Sequence, residues 1–141
     1  MGPKILLVDD DKEDEELMRD ILEQLKSSDY SFCSDGKAAL CHLATLANHE
    51  LPDLVVSDLH LPGIDGLELV KALKAHESFR GIWVVIYSGS ITPATKIKLD
   101  EAGIKEIFQK PANVQELENI LTRIIHLATE HHKQLTSLVN Q

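Results

Sequence analysis

Short aliphatic runs alternate with longer amphipathic stretches along this chain. Continuous apolar runs are typical of strands buried on both faces, and apolar residues spaced three and four positions apart are typical of helices with one buried side. Because each parallel return needs a crossover, the alternation predicts an α/β fold in which helices cover both faces of a parallel sheet. The predicted strands are 4–8, 30–34, 54–57, 82–87 and 107–109, and the predicted helices are 12–26, 37–47, 65–76, 93–102 and one beginning near 113.

The carboxyl ends of the predicted strands carry the residues with the most distinctive chemistry. In a doubly wound sheet of order 2-1-3-4-5, ligands bind beyond these ends, where the order reverses between strands 1 and 3. Asp9 and Asp10 follow strand 1, Asp58 follows strand 3, and Lys110 follows strand 5. We therefore expect three carboxylates and one ammonium group to meet at this edge of the sheet.

Three converging carboxylates need a cation nearby. Two carboxylates ~4 Å apart repel each other by on the order of 4 kcal/mol at an effective dielectric constant of about 20, so the group must bind a cation or take up protons. Mg²⁺ prefers oxygen ligands and is often held by one or two carboxylates together with a phosphate. The sequence therefore predicts a Mg²⁺ site at this edge, with Mn²⁺ as an alternative.

Asp58 is the candidate nucleophile of this pocket. A carboxylate can attack phosphorus to form an aspartyl phosphate, while a metal ion and Lys110 neutralise charge on the transferring oxygens. The added negative charge can recruit a hydroxyl donor. Ser88 stands at the end of strand 4, and Gly89 beside it leaves room for the backbone to approach. We expect the Ser88 hydroxyl to turn toward the phosphoryl group.

Length and charge restrict the class of protein. The 141 residues suit one domain, with a core at 4–127 and with 128–141 either extending the last helix or fraying. Fourteen basic and 23 acidic residues give a net charge of −9, which opposes direct binding to nucleic acid or to an anionic membrane. The sequence lacks a run of roughly 18 apolar residues, so a cytoplasmic location is predicted.

Four motifs together resemble the receiver domain of two-component response regulators, the CheY-like proteins, over residues 4 to about 127. The motifs are VDD (8–10), SDLHLPGIDG (57–66), YSG (87–89) and QKP (109–111). The resemblance implies the flavodoxin/CheY-like fold, with Asp58 as the phosphoacceptor. It also implies that Ser88 is the switch hydroxyl, that Lys110 pairs with the phosphate, and that the bond before Pro111 is cis.

The same resemblance assigns the metal ligands. It implies that Asp10 binds Mg²⁺ directly, that Asp9 acts through water, and that His60 contributes its backbone carbonyl. Ile107 departs from the family, which commonly has Tyr or Phe three residues before the lysine. The aromatic part of the usual switch is therefore not expected at that position.

The resemblance implies a signalling protein and not an enzyme. Its only expected reactions are self-phosphorylation and autodephosphorylation. Asp58 would accept a phosphoryl group from a histidine kinase or phosphotransfer protein, and the change would alter affinity for an unknown downstream protein. We expect a stand-alone receiver without a DNA-binding output domain. The last helix carries an apolar stripe that Leu135, Leu138 and Val139 would continue. These extra turns would pack on a partner protein or on a second copy of the chain, which would form a homodimer.

Three other functions are compatible with parts of the pattern. A phosphatase of the haloacid dehalogenase type also uses an aspartyl phosphate, and Asp9 and Asp11 offer its D-x-D motif, but Glu13 stands where that family prefers Thr or Val. A purely structural receiver would not need the acids and Lys110. A flavin carrier would need hydroxyls and amides after strand 1 instead of acids.

Overall fold

The computed structural model describes residues 2–26 and 29–139, and for residues 132 and 134–139 it describes the backbone only. Its five parallel strands form one sheet of order β2-β1-β3-β4-β5, which confirms the predicted fold class. The strands are β1 (Lys4–Val8), β2 (Asp29–Cys33), β3 (Leu54–Ser57), β4 (Trp83–Ser88) and β5 (Ile107–Gln109). The helices are α1 (Lys12–Leu25), α2 (Gly36–Ala44), α3 (Gly66–Ala75), α4 (Pro93–Glu101) and α5 (Val114–Val139).

The sheet separates two apolar cores. Alternate residues of a strand point to opposite faces, and in β1 Leu6 packs with α2, α3 and α4 while Leu7 packs with α1 and α5. Both side chains are buried. Burial on both faces is why the strands appear in the sequence as continuous aliphatic runs.

Side-chain caps position the helices over the sheet. The carboxylate of Asp11 accepts hydrogen bonds from the backbone N–H groups of Glu13 and Asp14 at the start of α1. Asp65 forms a capping box with Glu68 at the start of α3. Such caps satisfy N–H groups that have no partner within the helix, so each helix begins just beyond a strand end.

Two local predictions were wrong. Helix α2 ends at Ala44 rather than at residue 47, because the Thr45 hydroxyl donates to the His42 carbonyl and a short 3-10 helix follows at Asn48–Glu50. The described residues contain no cis peptide bond, so the bond before Pro111 is trans. The trans form is favoured at X–Pro bonds by about 0.5–1 kcal/mol.

Helix α5 is the longest element, and it passes the opposite edge of the sheet. The ring of His131 meets the ring of Trp83 edge-on, with centroids 5.0 Å apart. The residues expected to continue the apolar stripe, Leu135, Leu138 and Val139, have side chains outside the described part of the chain. Among the described residues, no helix combines the length and the apolar composition that crossing a bilayer requires.

Gly66 allows α3 to begin directly against the loop that follows β3. Its N–H donates to the Leu59 carbonyl at 2.8 Å, and a Cβ at this position would lie 2.5 Å from the carbonyl oxygen of Asp58. Because that contact is with backbone, the loop itself would have to move. A glycine at the first helical position is thus required by packing.

We expect Gly66→Ala to lower the free energy of unfolding by about 2 kcal/mol through overpacking, despite alanine's higher helix propensity. Urea denaturation of the variant and the wild type measures the difference. Gly81→Ala is the matched control, since a Cβ there meets nothing within 4 Å. Equal losses in the two variants would contradict the packing argument.

Candidate functional site

Asp9 and Asp58 come together because β1 and β3 are neighbours in register. Val8 pairs with Ser57, so the two aspartates follow at the same level, and the Asp58 N–H donates to the Val8 carbonyl at 2.9 Å. Asp9 and Asp58 are 5% and 8% exposed, respectively, whereas Asp10 is exposed. The carboxyl edge of the sheet therefore holds two buried acids beside an open one.

Lys110 joins the acids from β5. Its N–H donates to the Ser88 carbonyl at 2.9 Å, and its Nζ lies 2.9 Å from an oxygen of Asp9 and 2.9 Å from Oδ2 of Asp58. These distances confirm that the residues at the carboxyl ends of strands 1, 3 and 5 come together. The ammonium group neutralises part of the charge that the buried aspartates carry.

Asp14 is a further member of this cluster that sequence reasoning missed. Its Oδ2 lies 2.7 Å from the Lys110 Nζ, closer than either of the other carboxylates. Asp14 lies in the first turn of α1. Its place in a helix that begins directly after the Asp9–Asp10 pair was the available signal, because that turn must lie over the same sheet edge.

Burial and hydrogen bonding shift the pKa of Lys110 and the pKa of Asp9. Burial alone would lower the pKa of Lys110, but its hydrogen bonds to Asp14, Asp58 and Asp9 outweigh burial and raise that pKa above its ordinary value. The pKa of Asp9 is also raised, because burial outweighs the hydrogen bonds from the Asp11 N–H and Lys110. Lys110 is thus firmly protonated, and the charge of Asp9 is held at a cost.

A divalent cation fits the acids. Asp9, Asp10 and Asp58 each offer a carboxylate oxygen, and the three oxygens all lie within 4.8 Å of one another. The His60 N–H donates to Oδ1 of Asp58 at 3.1 Å, while Lys110 takes Oδ2. Since each carboxylate oxygen accepts more than one bond, lone pairs remain for a hard cation such as Mg²⁺.

The raised pKa of Asp9 predicts a pH dependence of stability. An acid whose pKa is higher in the folded state binds its proton more tightly there, so the free energy of unfolding falls as pH rises above the ordinary value of 3.8 and through the raised pKa. Without divalent cations, we expect Asp9→Asn to be more stable than the wild type at pH 7, because asparagine is not charged in the buried position. The difference should shrink as pH falls toward the ordinary value of 3.8, because the folded protein then takes up a proton at Asp9.

Urea denaturation in the presence of a chelator, repeated between pH 4 and pH 7, measures this difference. Asp100→Asn, on the exposed side of α4, is the control and should follow the wild type. Added Mg²⁺ should stabilise the wild type more than Asp9→Asn, because a cation that binds only the folded state stabilises it. A wild type that is the more stable protein at every pH would contradict the prediction.

The remaining predicted residues lie in the loop after β4 or near it. Ser88 is fully buried, and its hydroxyl lies 3.4 Å from the Ser90 carbonyl oxygen. A Cβ on Gly89 would meet nothing within 4 Å. Ile107 is partly buried and packs on the α2–α3–α4 side of the sheet, whereas Phe108 packs on the α1–α5 side.

His60 makes a contact that sequence reasoning also missed. Its ring Nε2 lies 2.8 Å from the Ser90 carbonyl oxygen in the loop after β4. No motif marks this pairing in the sequence, because the two residues are 30 positions apart. The position of its backbone carbonyl as a metal ligand stays a prediction.

Comparison with known sequences identifies the relatives of this chain. The model of the response regulator receiver domain family matches residues 5–122. The two-component response regulator ARR9 of Arabidopsis thaliana is 32% identical over 96 residues, which make up 67% of this chain and 37% of ARR9. The match thus spans little more than a third of that plant protein.

Solved structures share the whole fold. The phosphorylated cyanobacterial phytochrome response regulator RcpA has a TM-score of 0.79 and 29% identity, with 88% of this chain and 91% of RcpA covered. The Mn²⁺-bound form of response regulator Rcp1 has a TM-score of 0.79 and 27% identity, with 92% and 96% covered. In both comparisons the similarity extends over nearly the full length of this chain and of the solved structure.

Proposed function

Because the chain belongs to the response regulator receiver domain family of two-component signalling, we propose that Asp58 accepts a phosphoryl group in a Mg²⁺-dependent reaction. The carrying observation is that one oxygen of Asp58 is held by the Lys110 ammonium at 2.9 Å, within a cluster of acids that can bind a cation. A buried carboxylate placed between two positive charges can attack phosphorus while those charges stabilise the transferring oxygens.

Each member of the cluster has a defined part in this proposal. Asp10, Asp58 and the His60 backbone carbonyl would bind Mg²⁺, and Asp9 would hold it through water. When bound there, the ion would supply a second positive charge to the phosphoryl oxygens. Lys110 supplies the first and remains protonated, which is supported by its raised pKa. The His60 N–H orients Oδ1 of Asp58 by a hydrogen bond of 3.1 Å.

Phosphorylation would then change the loop after β4. Conversion of the carboxylate to an acyl phosphate adds about one negative charge, and the Ser88 hydroxyl turns from the Ser90 carbonyl to a phosphoryl oxygen. The donor is a histidine kinase or phosphotransfer protein, and the changed loop alters affinity for a downstream protein. By analogy, the phosphorylated state of RcpA supports phosphorylation of this chain, and the Mn²⁺ bound to Rcp1 supports binding of a divalent cation.

The position of Asp11 disfavours the phosphatase alternative. A D-x-D phosphatase needs its second aspartate to face the reacting phosphate, but the Asp11 side chain is engaged with the N–H groups of Glu13 and Asp14. Asp11 therefore caps α1. The phosphoacceptor function needs no contribution from that side chain.

Intact-mass analysis after incubation with acetyl phosphate and Mg²⁺ tests the proposal. The protein should gain one phosphoryl group, and a chelator should suppress the gain. Hydroxylamine, which attacks acyl phosphates, should remove the group and leave a hydroxamate that peptide mass analysis locates at Asp58. A phosphoryl group on serine or histidine would contradict the proposal.

A further inference from the structure

A hydrogen bond joins the two loops that flank the acidic pocket. His60 lies in the loop after β3, two residues beyond Asp58, and its Nε2 lies 2.8 Å from the carbonyl oxygen of Ser90 in the loop after β4. A carbonyl oxygen only accepts, so Nε2 must carry the proton. We call this contact the His60–Ser90 bridge.

The same carbonyl is the partner of the Ser88 hydroxyl. Ser88 Oγ lies 3.4 Å from the Ser90 oxygen, and a carbonyl with two lone pairs can accept from both donors. Ser88 is fully buried, so its hydroxyl has no access to bulk water as an alternative partner. The orientation of this hydroxyl therefore depends on where the Ser90 carbonyl is held.

We propose that His60 is a positioning residue, whose ring fixes the Ser90 carbonyl where it retains the Ser88 hydroxyl in the unphosphorylated arrangement. This inference rests on the proposed function, because Ser88 must leave that carbonyl when Asp58 is phosphorylated. The ring thus adds to the free energy of moving Ser88, although it contacts neither the phosphoryl group nor the metal. It acts on the loop after β4 through one backbone atom.

The bridge has a predictable effect on the rate of phosphorylation. In this proposal the reactive arrangement is the one in which Ser88 has left the Ser90 carbonyl, and it is a minor population of the unphosphorylated protein. Its fraction then sets the apparent rate of phosphorylation by a small donor. Loss of one hydrogen bond of ordinary net strength raises that fraction by about fivefold. His60 is exposed, so water can replace the ring and the effect should not greatly exceed this value.

Two substitutions of His60 with side chains of different length distinguish loss of the His60–Ser90 bridge from a general disturbance of the loop. His60→Gln places an amide N–H near the position of Nε2, while the shorter His60→Asn cannot reach the carbonyl. Both substitutions keep the backbone carbonyl assigned to the metal. His49→Asn, in the exposed 3-10 helix, is the matched control.

The first measurement uses the unphosphorylated protein. Amide hydrogen exchange over residues 89–92 should be severalfold faster in His60→Asn than in the wild type, and His60→Gln and His49→Asn should match the wild type. Equal exchange in His60→Asn and the wild type would overturn the bridge as a restraint on this loop. This measurement needs no donor or metal, so it decides independently of phosphorylation.

The second measurement is the initial rate of phosphoryl gain from acetyl phosphate with saturating Mg²⁺. His60→Asn should react about fivefold faster, His60→Gln should restore the wild-type rate, and the acceleration should vanish in a Ser88→Ala background. Equal rates for the Asn and Gln variants would overturn the proposal. A wild type that takes up no phosphoryl group would instead overturn the proposed function, and the exchange result would still stand.

Discussion

The Asp58→Asn variant is expected to take up no phosphoryl group from acetyl phosphate and Mg²⁺, under conditions in which the wild type takes up one. The amide of asparagine has the shape of the carboxylate but lacks the charge and the nucleophilic oxygen that form an acyl phosphate. It also leaves Lys110 with two carboxylate partners instead of three. Intact-mass analysis over a time course measures the loss.

Asp65→Asn is the matched control for this substitution. Asp65 lies in the same loop, where it caps α3 by accepting from the Glu68 N–H at 2.8 Å, and asparagine is an equally good cap. The control should therefore phosphorylate like the wild type. A phosphoryl group that persists in Asp58→Asn at the wild-type rate would remove Asp58 from the chemistry and with it the proposed function.

The Lys110→Met variant should show the largest loss of stability. Methionine keeps an unbranched side chain of four heavy atoms but lacks the ammonium group, which leaves the buried Asp9 and Asp58 with no positive partner at 2.9 Å. Removing one partner of a buried ion pair commonly costs about 3–5 kcal/mol. We expect a loss near the lower value at pH 7 in the absence of divalent cations, because the Asp14 side chain is partly exposed.

The pH dependence follows from the raised pKa of Lys110. A base whose pKa is higher in the folded state stabilises that state at every pH below its ordinary value, which for Lys110 is 10.5. This contribution is lost as pH rises beyond 10.5 toward the folded-state pKa. The stability difference between the wild type and Lys110→Met should therefore be present at neutral pH and should shrink in strong alkali.

Urea denaturation in chelator measures the Lys110 effect, and added Mg²⁺ should recover part of it because the cation replaces the lost positive charge. Lys105→Met is the control. Lys105 is exposed and makes no ion pair with the residues that the structure describes, so it should change stability by at most about 0.5 kcal/mol. A similar loss in both variants would show that the Lys110 effect is not electrostatic.

The meeting of Asp9, Asp10, Asp58 and Lys110 could be predicted because it depends on backbone topology. A continuous aliphatic run marks a strand buried on both faces, and parallel strands bring their carboxyl ends to one edge. The residue that follows each run is therefore placed by the sheet. That argument needs no knowledge of rotamers, and the distances from Lys110 to Asp9 and Asp58 confirm it.

The contacts of Asp14 and His60 could not be predicted in the same way. Both depend on how far a side chain reaches from its element and on which rotamer it adopts, and neither property follows from hydrophobic periodicity. Asp14 reaches Lys110 from the first turn of a helix, and His60 reaches a backbone carbonyl in another loop. Backbone acceptors are available at every residue, so the sequence does not identify Ser90 as one.

The early end of α2 had a related cause. The apolar positions Leu43 and Leu46 continue a helical period, which led the prediction past the true end at Ala44. The Thr45 hydroxyl bond to the His42 carbonyl is a local polar effect. Hydrophobic spacing alone does not register such an effect.

The contact between Trp83 and His131 has a practical consequence for spectroscopy. The chain contains a single tryptophan, and Trp83 stands at the first residue of β4, roughly 17 Å along the strand from Ser88. Its indole emission therefore reports the docking of the distal turns of α5, since the ring of His131 is part of the indole's surroundings. One intrinsic fluorophore thus monitors detachment of the carboxyl-terminal helix without a label, while it is remote from events at the acidic pocket.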